Sequence, residues 1–236
     1  MSDKFIKKNF VVVSDYNWLP QNIEESWVAK YSDHYLIYDR AHRLPESEKV
    51  QWQKNVGQNI YDIFDFIVTH YDNLPDATIF CRAAMIFPKG RKKPLSNGTC
   101  SLEKFLSVAN NESFTELHDF GPEVHNGSAS KMGPDGSFLE INNSWYFNEF
   151  PWKYFNSLNR FLRDVYVNPV IPDYIRFAPG GSYIVPKANI LKYSKNFYEQ
   201  CRTYVGWDVL IAEAHMFERA LYTIFTCNYT VKPKYQ

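Results

Sequence analysis

Polar side chains follow two short apolar segments, and they carry the hydrogen-bonding groups of a ligand site. Ser14, Asp15 and Tyr16 come directly after the run FVVV, and Asp39 and Arg40 come directly after HYLIY. Continuous apolar runs of this length predict strands that are buried on both faces. Because ligands of open parallel sheets bind beyond the carboxyl ends of the strands, we expect these residues to line one crevice.

A third apolar run, ATIFC, is followed directly by Arg82. Arg82 is therefore expected at the same edge of the sheet. Arginine forms charge-assisted, bidentate hydrogen bonds with phosphate oxygens, so Arg82 suits a diphosphate. Four further cations follow in a turn-rich segment: Lys89, Arg91, Lys92 and Lys93. That segment can equally be a solvated loop, which is the usual role of a run of charges.

An amphipathic helix is predicted between Lys54 and Leu74, because apolar residues recur there at helical spacing while Asp62 falls outside the apolar face. Asn55 can cap this helix, and Gly57 lets the backbone approach a ligand closely. Free N–H groups at a helix start favour an anion or a polar ligand edge. The turn from Asn55 to Asn59 is therefore a second candidate site segment, although ordinary capping accounts for Asn55 equally well.

The acids and histidines between residues 116 and 125 are a separate candidate, for a metal site. They are Glu116, His118, Asp119, Glu123 and His125. Their oxygen and imidazole donors suit Mn²⁺ or Zn²⁺, but loop spacing alone is a weak indication of a metal site. A metal-dependent hydrolase that uses this segment remains one alternative function.

Strands and helices alternate in the first third of the chain, with short connections between them. The predicted strands are Phe10 to Val13, His34 to Tyr38 and Ala77 to Cys81, and the predicted helices are Asn22 to Lys30 and Lys54 to Leu74. This order favours an α/β fold with a mostly parallel, doubly wound sheet flanked by helices. No linker-like segment divides residues 1–236, so a single domain is expected.

The rest of the chain is predicted to be mainly helical. The predicted helices are Ser101 to Asn110, Trp152 to Tyr166, Lys187 to Tyr204 with a break, and Asp208 to Phe225 with Asp208 as N-cap. A strand from Ile175 to Val185 is interrupted by Gly180 and Gly181, whose missing side chains would permit close approach to a ligand. Residues 119–144 are predicted to be a long loop that closes as a lid over a bound ligand.

Composition excludes several classes of partner and location. The 236 residues are 45% hydrophobic and hold 26 Lys and Arg against 26 Asp and Glu, so no net field recruits nucleic acid. Neither an 18-residue apolar run nor a signal-peptide core occurs, and we expect a cytoplasmic protein without a transmembrane segment. The four cysteines lack CxxC spacing, which favours reduced thiols.

Several of these segments together resemble a family catalogued as domain of unknown function 3431, whose members look like nucleotide-sugar glycosyltransferases of the GT-A fold. The matching stretches are VVVSDYNWL from Val11, IYDR from Ile37, NVGQN from Asn55, YDNLPDATIF from Tyr71, GGSYIV from Gly180, FYE from Phe197, and Glu218 with Arg219. The resemblance covers most of the chain except residues 88–150. It implies a single GT-A-like (Rossmann-like) domain.

The resemblance also implies roles for the residues at the strand ends. Ser14, Asp15 and Tyr16 would contact the nucleoside of the donor, together with Asp39 and Arg40. The turn of Asn55, Gly57 and Asn59 would contact the donor as well. GT-A enzymes usually hold a divalent metal on an Asp-x-Asp motif after a central strand, and Arg82 stands there instead. Arg82 would therefore neutralise the diphosphate. Whether Mn²⁺ or Mg²⁺ also binds there stays an open question.

For the acceptor side, the resemblance implies an acid that follows the glycine-rich segment and acts as base. The candidates are Asp208, Glu213 and Glu218, and His215 is a further one by residue type alone. Gly180, Gly181 and Trp207 would face the acceptor.

The sequence thus predicts a glycosyltransferase that moves a sugar from a nucleotide-sugar donor to a glycan or glycoconjugate acceptor, either with Mn²⁺ or Mg²⁺ or without a metal. The alternative from a different class is a catalytically silent module on the same scaffold that binds a glycan or a nucleotide. Donor turnover distinguishes the two functions.

Overall fold

The computed structural model describes residues 4–86, 99–119 and 129–236. The strands are β1 (Phe10–Asp15), β2 (Tyr35–Asp39), β3 (Val50–Trp52), β4 (Ala77–Arg82), β5 (Thr115–Glu116), β6 (Ser130–Met132), β7 (Phe138–Ile141), β8 (Tyr174–Arg176) and β9 (Tyr183–Pro186). The α-helices are α1 (Trp27–Tyr31), α2 (Gln58–His70), α3 (Leu102–Val108), α4 (Tyr146–Glu149), α5 (Leu158–Val165), α6 (Lys187–Ile190), α7 (Lys195–Val205) and α8 (Ala212–Thr226).

The larger sheet has the strand order β3-β2-β1-β4-β9-β5. Its first four strands are mutually parallel, whereas β9 runs antiparallel to both β4 and β5. A smaller antiparallel sheet has the order β6-β7-β8. The prediction of a mixed α/β fold with a mostly parallel sheet is therefore confirmed.

The central strands are apolar along their whole length because both faces of the sheet are covered. Val12 belongs to the core that β1 shares with α2, whereas Val11 and Val13 belong to the core on the opposite face. Successive side chains of a strand point to opposite faces, so both sets are buried. The interpretation of these runs as doubly covered strands was correct.

Helix α2 begins later than the sequence predicts, and it begins without a side-chain cap. Its N-cap is Gly57 in the left-handed conformation, with φ of 56°, so Asn55 does not cap the helix. A Cβ atom on Gly57 would lie 2.2 Å from the carbonyl oxygen of Val205. The Gly57 amide also donates to the carbonyl oxygen of Asp208 at 2.8 Å. Gly57 thus permits close approach to the chain's own backbone at the end of α7. Its close approach to a ligand stays a prediction.

Two predictions about strands were wrong, and one strand was missed. The segment from Ile175 to Val185 is not one interrupted strand, because β8 and β9 belong to different sheets. Residues 119–144 are not a structureless loop, since they include β6 and β7; residues 120–128 of that segment lie outside the described ranges. Strand β3 was not predicted, because only Val50 of its three residues is buried.

The sequence predicted the regions of the helices better than their first and last residues. Ser101 caps α3 by accepting from the Lys104 amide, and the region from Lys187 to Tyr204 contains α6 and α7. The region from Asn22 to Lys30 holds a short 3-10 helix and the start of α1. In the region predicted as helix from Trp152, α5 begins only after its cap Ser157.

Helix α8 begins four residues after the predicted N-cap. Asp208 uses its carboxylate to accept the amide of Val209 at 2.6 Å, and the residue before α8 is Ile211, which supplies no side-chain cap. The prediction that Asp208 caps the last helix was therefore wrong. The described helices include none that is both long and apolar enough to cross a membrane. All four cysteines are free thiols, as predicted.

Candidate functional site

The strand order places a switch point between β1 and β4, and polar residues meet there. Strands β2 and β3 extend the sheet on one side of β1, and β4 extends it on the other. Ser14 is in register with Arg82 on β4, and Asp15 is in register with Asp39 on β2. Ligands of open α/β sheets bind at such switch points, outside the carboxyl ends of the strands. The prediction that these residues share one edge is confirmed.

The two aspartates at this edge hold the backbone of their own loops. Asp15 is fully buried and accepts from the amides of Trp18 and Leu19 at 3.0 and 3.1 Å. Asp39 is equally buried and accepts from the amides of Ala41, Arg43 and Leu44. These carboxylates are committed to turns, so their direct role is to shape the loops. Contact between either of them and a nucleoside stays a prediction.

A buried polar cluster links the ends of β1 and β2 to helix α2. The Ser14 hydroxyl donates to Asp62 Oδ2, and Arg40 Nε lies 3.9 Å from the same oxygen. Arg40 also donates to the carbonyl oxygen of Val56 at 2.8 Å. Asp62 Oδ1 and Arg40 Nε are both buried without a hydrogen-bond partner. Such orphaned polar atoms are rare in native proteins and cost free energy.

Burial dominates the electrostatics of this cluster. Asp62 is 1% exposed, and burial raises the pKa of its carboxyl to about 7, although Arg40 and the Ser14 hydroxyl both act to lower it. Burial also lowers the pKa of Arg40. Asp62 therefore changes its charge near neutral pH, as groups at functional sites often do.

Flat aromatic rings are exposed beside this cluster. Tyr16 is 50% exposed in the loop after β1. Trp52, at the end of β3, is 48% exposed and stacks on His42 with the ring planes 7° apart. Exposed rings next to buried polar groups are suited to stacking a planar ligand such as a nucleobase.

A second cluster lies on the β4 side of the switch point and contains five of the predicted residues: Asn59, Arg82, Gly180, Gly181 and Glu218. Asn59 donates to the Gly180 carbonyl oxygen at 2.8 Å, and Glu218 Oε1 accepts the Gly180 amide at 2.5 Å. A Cβ atom on Gly180 would lie 2.7 Å from Nη2 of Arg82. The absent side chain therefore makes room for the Arg82 guanidinium.

Helix α2 joins the two clusters into one site. Asn59 and Asp62 are three residues apart, so they lie on the same side of the first turns of the helix. Asn59 reaches the Gly180 segment, and Asp62 reaches Ser14. Because Ser14 is in register with Arg82, polar side chains continue from one cluster to the other across β1 and β4.

Glu218 belongs to a charged network on helix α8. Its Oε2 accepts from Arg219 Nη1 at 2.9 Å, and Arg219 binds both carboxylate oxygens of Glu140 at 2.6 and 3.0 Å. One turn before Glu218, His215 stacks on Phe150 at 4.4 Å between ring centroids. Burial lowers the pKa of His215, which favours the neutral imidazole at pH 7.

The other predicted residues of the acceptor side are not part of this network. Glu213 is fully buried and accepts the amides of Lys153 and Tyr154, each at 2.7 Å. Asp208 is exposed and bonded to its neighbour Val209. The indole of Trp207 packs against the core, with its nitrogen buried. Within the part of the chain that the structure describes, Glu218 is the only one of the three predicted acids that accepts a hydrogen bond from the Gly180 segment.

The candidate metal ligands are engaged within the chain. Glu116 accepts two hydrogen bonds from Arg176, and Asp119 accepts from the Ser101 hydroxyl. Glu123 and His125 lie outside the described residues, as do Lys89, Arg91, Lys92 and Lys93. Within residues 4–86, 99–119 and 129–236, no group of three or more acidic, histidine or cysteine side chains is arranged to hold a metal ion.

Sequence reasoning missed four side chains of the site: Asp62, Glu140, Arg219 as an ion-pair partner, and Trp145, whose indole N–H donates to Glu140 Oε1. Asp62 falls off the apolar stripe of α2, and hydrophobic periodicity therefore does not indicate that it is buried. Glu140 and Trp145 stand in a region without a recognisable pattern, and residue spacing alone could not have identified their roles. Arg219 stood beside Glu218 in the matched motif, and that adjacency was the only available signal.

Comparison with known proteins identifies a family and nothing more specific. No curated protein and no solved structure matches the chain. The family described as Protein of unknown function (DUF3431) matches residues 11–236, and the chain therefore belongs to that family.

Proposed function

We propose that this protein is a glycosyltransferase that transfers a sugar from a nucleotide-sugar donor to a glycan or glycoconjugate acceptor. The observation that carries the proposal is the position of Arg82 at the switch point between β1 and β4, directly over Gly180. A cation there is suited to the diphosphate that leaves when the glycosidic bond forms. The GT-A resemblance and the mostly parallel sheet support the same assignment.

Each part of the site has a role in this proposal. The loops after β1 and β2, with the exposed ring of Tyr16, bind the nucleoside. Arg82 and the Asn59 side of α2 face the diphosphate. Glu218 accepts the proton of the attacking hydroxyl, which is the task of a base in an inverting displacement. Its two hydrogen bonds leave further lone pairs on the carboxylate, so a hydroxyl can still donate to it.

Replacement of Arg82 by alanine is expected to weaken binding of nucleoside diphosphates and their sugars by about 10- to 100-fold, because a charge-assisted hydrogen bond is lost. Thermal-shift titration with UDP, GDP, CMP and dTDP sugars measures the change. Saturating donor at about 100 times its dissociation constant should raise the melting temperature of the wild type by roughly 5 to 10 °C. The same titration with Mn²⁺ or Mg²⁺, and with a chelator, tests whether a metal assists.

Lys195→Ala is the matched control, because Lys195 is a half-exposed cation on α7 that pairs with Asp72. Removal of this charge should leave donor binding unchanged. Equal donor affinities in the wild type and Arg82→Ala would remove Arg82 from the donor site.

Glu218→Gln is expected to lower the turnover rate by about 100-fold or more while donor affinity changes little, because a general base contributes at least that factor. The glutamine oxygen can still accept the Gly180 amide, so the local backbone is preserved. Single-turnover transfer and donor binding are measured on the same preparation, with the exposed Glu149→Gln as control. Unchanged turnover would show that Glu218 is not the base.

One observation favours a catalytically silent glycan- or nucleotide-binding module as the second candidate. Each of the three predicted acids is already hydrogen-bonded within the chain, and Glu213 is wholly buried. Such a module would bind donor or glycan without releasing product. Donor turnover by the wild type therefore separates the two functions, since binding is common to both.

A further inference from the structure

Trp145 presents an exposed indole ring at the edge of the Glu218 network. The residue lies between β7 and α4, and 37% of its surface is exposed. Its indole N–H donates to Glu140 Oε1 at 3.4 Å, which restrains the orientation of the ring. An exposed tryptophan that is held in place by a carboxylate offers a flat apolar surface whose position is fixed in advance.

Arg219 connects this ring to the proposed base. The Arg219 guanidinium is nearly buried, binds Glu140 through two nitrogens and Glu218 through the third, and lies 5.6 Å from the centroid of the Trp145 ring. Glu218 in turn accepts the Gly180 amide. The nearly buried Arg219 thus links the partly exposed side chains of Trp145, Glu140 and Glu218 into one surface, which leads to the Arg82 cluster.

His215 lies beside the same surface. Its ring centroid is 6.2 Å from that of Trp145, and its Nε2 lies 3.3 Å from the side-chain nitrogen of Gln58 at the start of α2. Because burial favours the neutral imidazole, Nε2 can accept from the Gln58 amide, and the other ring nitrogen then carries the hydrogen. His215 therefore adds a neutral polar group between the indole and α2.

The charges of this surface favour a neutral ligand. Two carboxylates, Glu140 and Glu218, face one guanidinium, and the histidine is neutral, so an anionic ligand would be repelled. A pyranose ring has one face of C–H groups and a rim of hydroxyls. The C–H face can stack on the indole plane, and the hydroxyls can form hydrogen bonds with carboxylate oxygens and imidazole nitrogens.

We infer that the surface formed by Trp145, Glu140, His215 and Glu218 binds a neutral pyranose ring. The ring stacks on Trp145, and one of its hydroxyls points toward Glu218. This inference rests on the proposed function where it identifies the bound sugar as the acceptor, and it deepens that function by specifying an uncharged glycan. Sugar binding at Trp145 can be measured without any donor.

The test is an NMR titration of the indole N–H signals of the full chain, which has six tryptophans. The probes are the trisaccharides of β-1,4-glucose, α-1,4-glucose, α-mannose and N-acetylglucosamine, each added with and without UDP or GDP. Concentrations of about 10 mM saturate a ligand of millimolar affinity. At least one trisaccharide is expected to shift the Trp145 signal saturably, and Trp145→Phe assigns that signal.

Two variants make the titration specific. Trp145→Ala is expected to weaken binding of the trisaccharide by about tenfold or more, which corresponds to roughly 1.4 kcal/mol. Trp152→Phe is the control, because Trp152 is 50% exposed but contacts Phe147 and not the charged network. This variant should bind like the wild type. Thermal melts of both variants confirm that they are folded.

The inference is overturned if no trisaccharide shifts the Trp145 signal under any of these conditions, or if Trp152 responds and Trp145 does not. Failure of the inference can be distinguished from failure of the proposed function. Donor binding with a silent Trp145 signal contradicts the inference alone. A Trp145 response without donor binding or turnover supports the sugar site and favours the glycan-binding module.

Discussion

Replacing Asp62 by asparagine is expected to make the protein progressively more stable, relative to the wild type, as the pH rises from 4 to 8. Burial raises the pKa of Asp62 from 3.8 to about 7 in the folded protein. Between these values the folded state keeps a proton that the unfolded chain has released. The wild type therefore loses stability as pH rises through this window, by roughly 4 kcal/mol from this group.

Urea unfolding of the wild type and Asp62→Asn at several pH values measures this change directly. The difference between their free energies of unfolding should shift by roughly 4 kcal/mol across the window, in favour of the variant at high pH. The groups that act on Asp62 are Arg40, Ser14 and Asp65, and all three are retained in the variant. Asp72→Asn, at an exposed position, controls for the loss of one charge. Parallel pH profiles for wild type and Asp62→Asn would contradict the account of a buried, neutral carboxyl.

Gly57→Ala is expected to destabilise the protein by roughly 2 to 5 kcal/mol. The new Cβ atom would stand 2.2 Å from the backbone carbonyl oxygen of Val205, and an alanine would have to adopt a φ of 56°. The left-handed conformation costs about 1 to 2 kcal/mol for an alanine, and displacing packed backbone adds about 1 to 3 kcal/mol. Denaturant unfolding at a fixed pH gives the difference.

Gly136→Ala is the matched control, because Gly136 also has a positive φ, of 79°, but an added Cβ atom would meet nothing within 4 Å. Gly136→Ala should lower the free energy of unfolding only by the cost of the left-handed conformation, about 1 to 2 kcal/mol. If the two variants lose equal stability, the contact between the start of α2 and the end of α7 does not hold the helix in place.

The sheet could be predicted from local sequence because its central strands are covered on both faces. The runs FVVV, HYLIY and ATIFC are apolar throughout, and each became a parallel strand of the larger sheet. Strand β3 could not be predicted, since two of its three residues are exposed. The division of the segment from Ile175 to Val185 between two sheets depends on tertiary packing, which local patterns do not encode.

The candidate site could be predicted only in part, because some of its contacts depend on tertiary packing that local sequence patterns do not encode. The positions of Ser14, Asp39 and Arg82 at one edge follow from the ends of parallel strands. Asp62 was missed because its partner Ser14 is 48 residues away in sequence, and hydrophobic periodicity assigned it to the polar face of α2. Glu213 was a candidate base by the resemblance, and its complete burial against two backbone amides depends on tertiary packing.

The central claim is that the site at the β1 and β4 strand ends uses a nucleotide-activated sugar. Its most direct test is the release of nucleoside diphosphate or monophosphate from UDP, GDP, dTDP and CMP sugars by the wild-type protein, with and without Mn²⁺ and the trisaccharide acceptors. We predict sustained release from one class of donor and its loss in Arg82→Ala, with Lys195→Ala unaffected. No release from any donor by the folded wild type, under all of these conditions, would contradict the account.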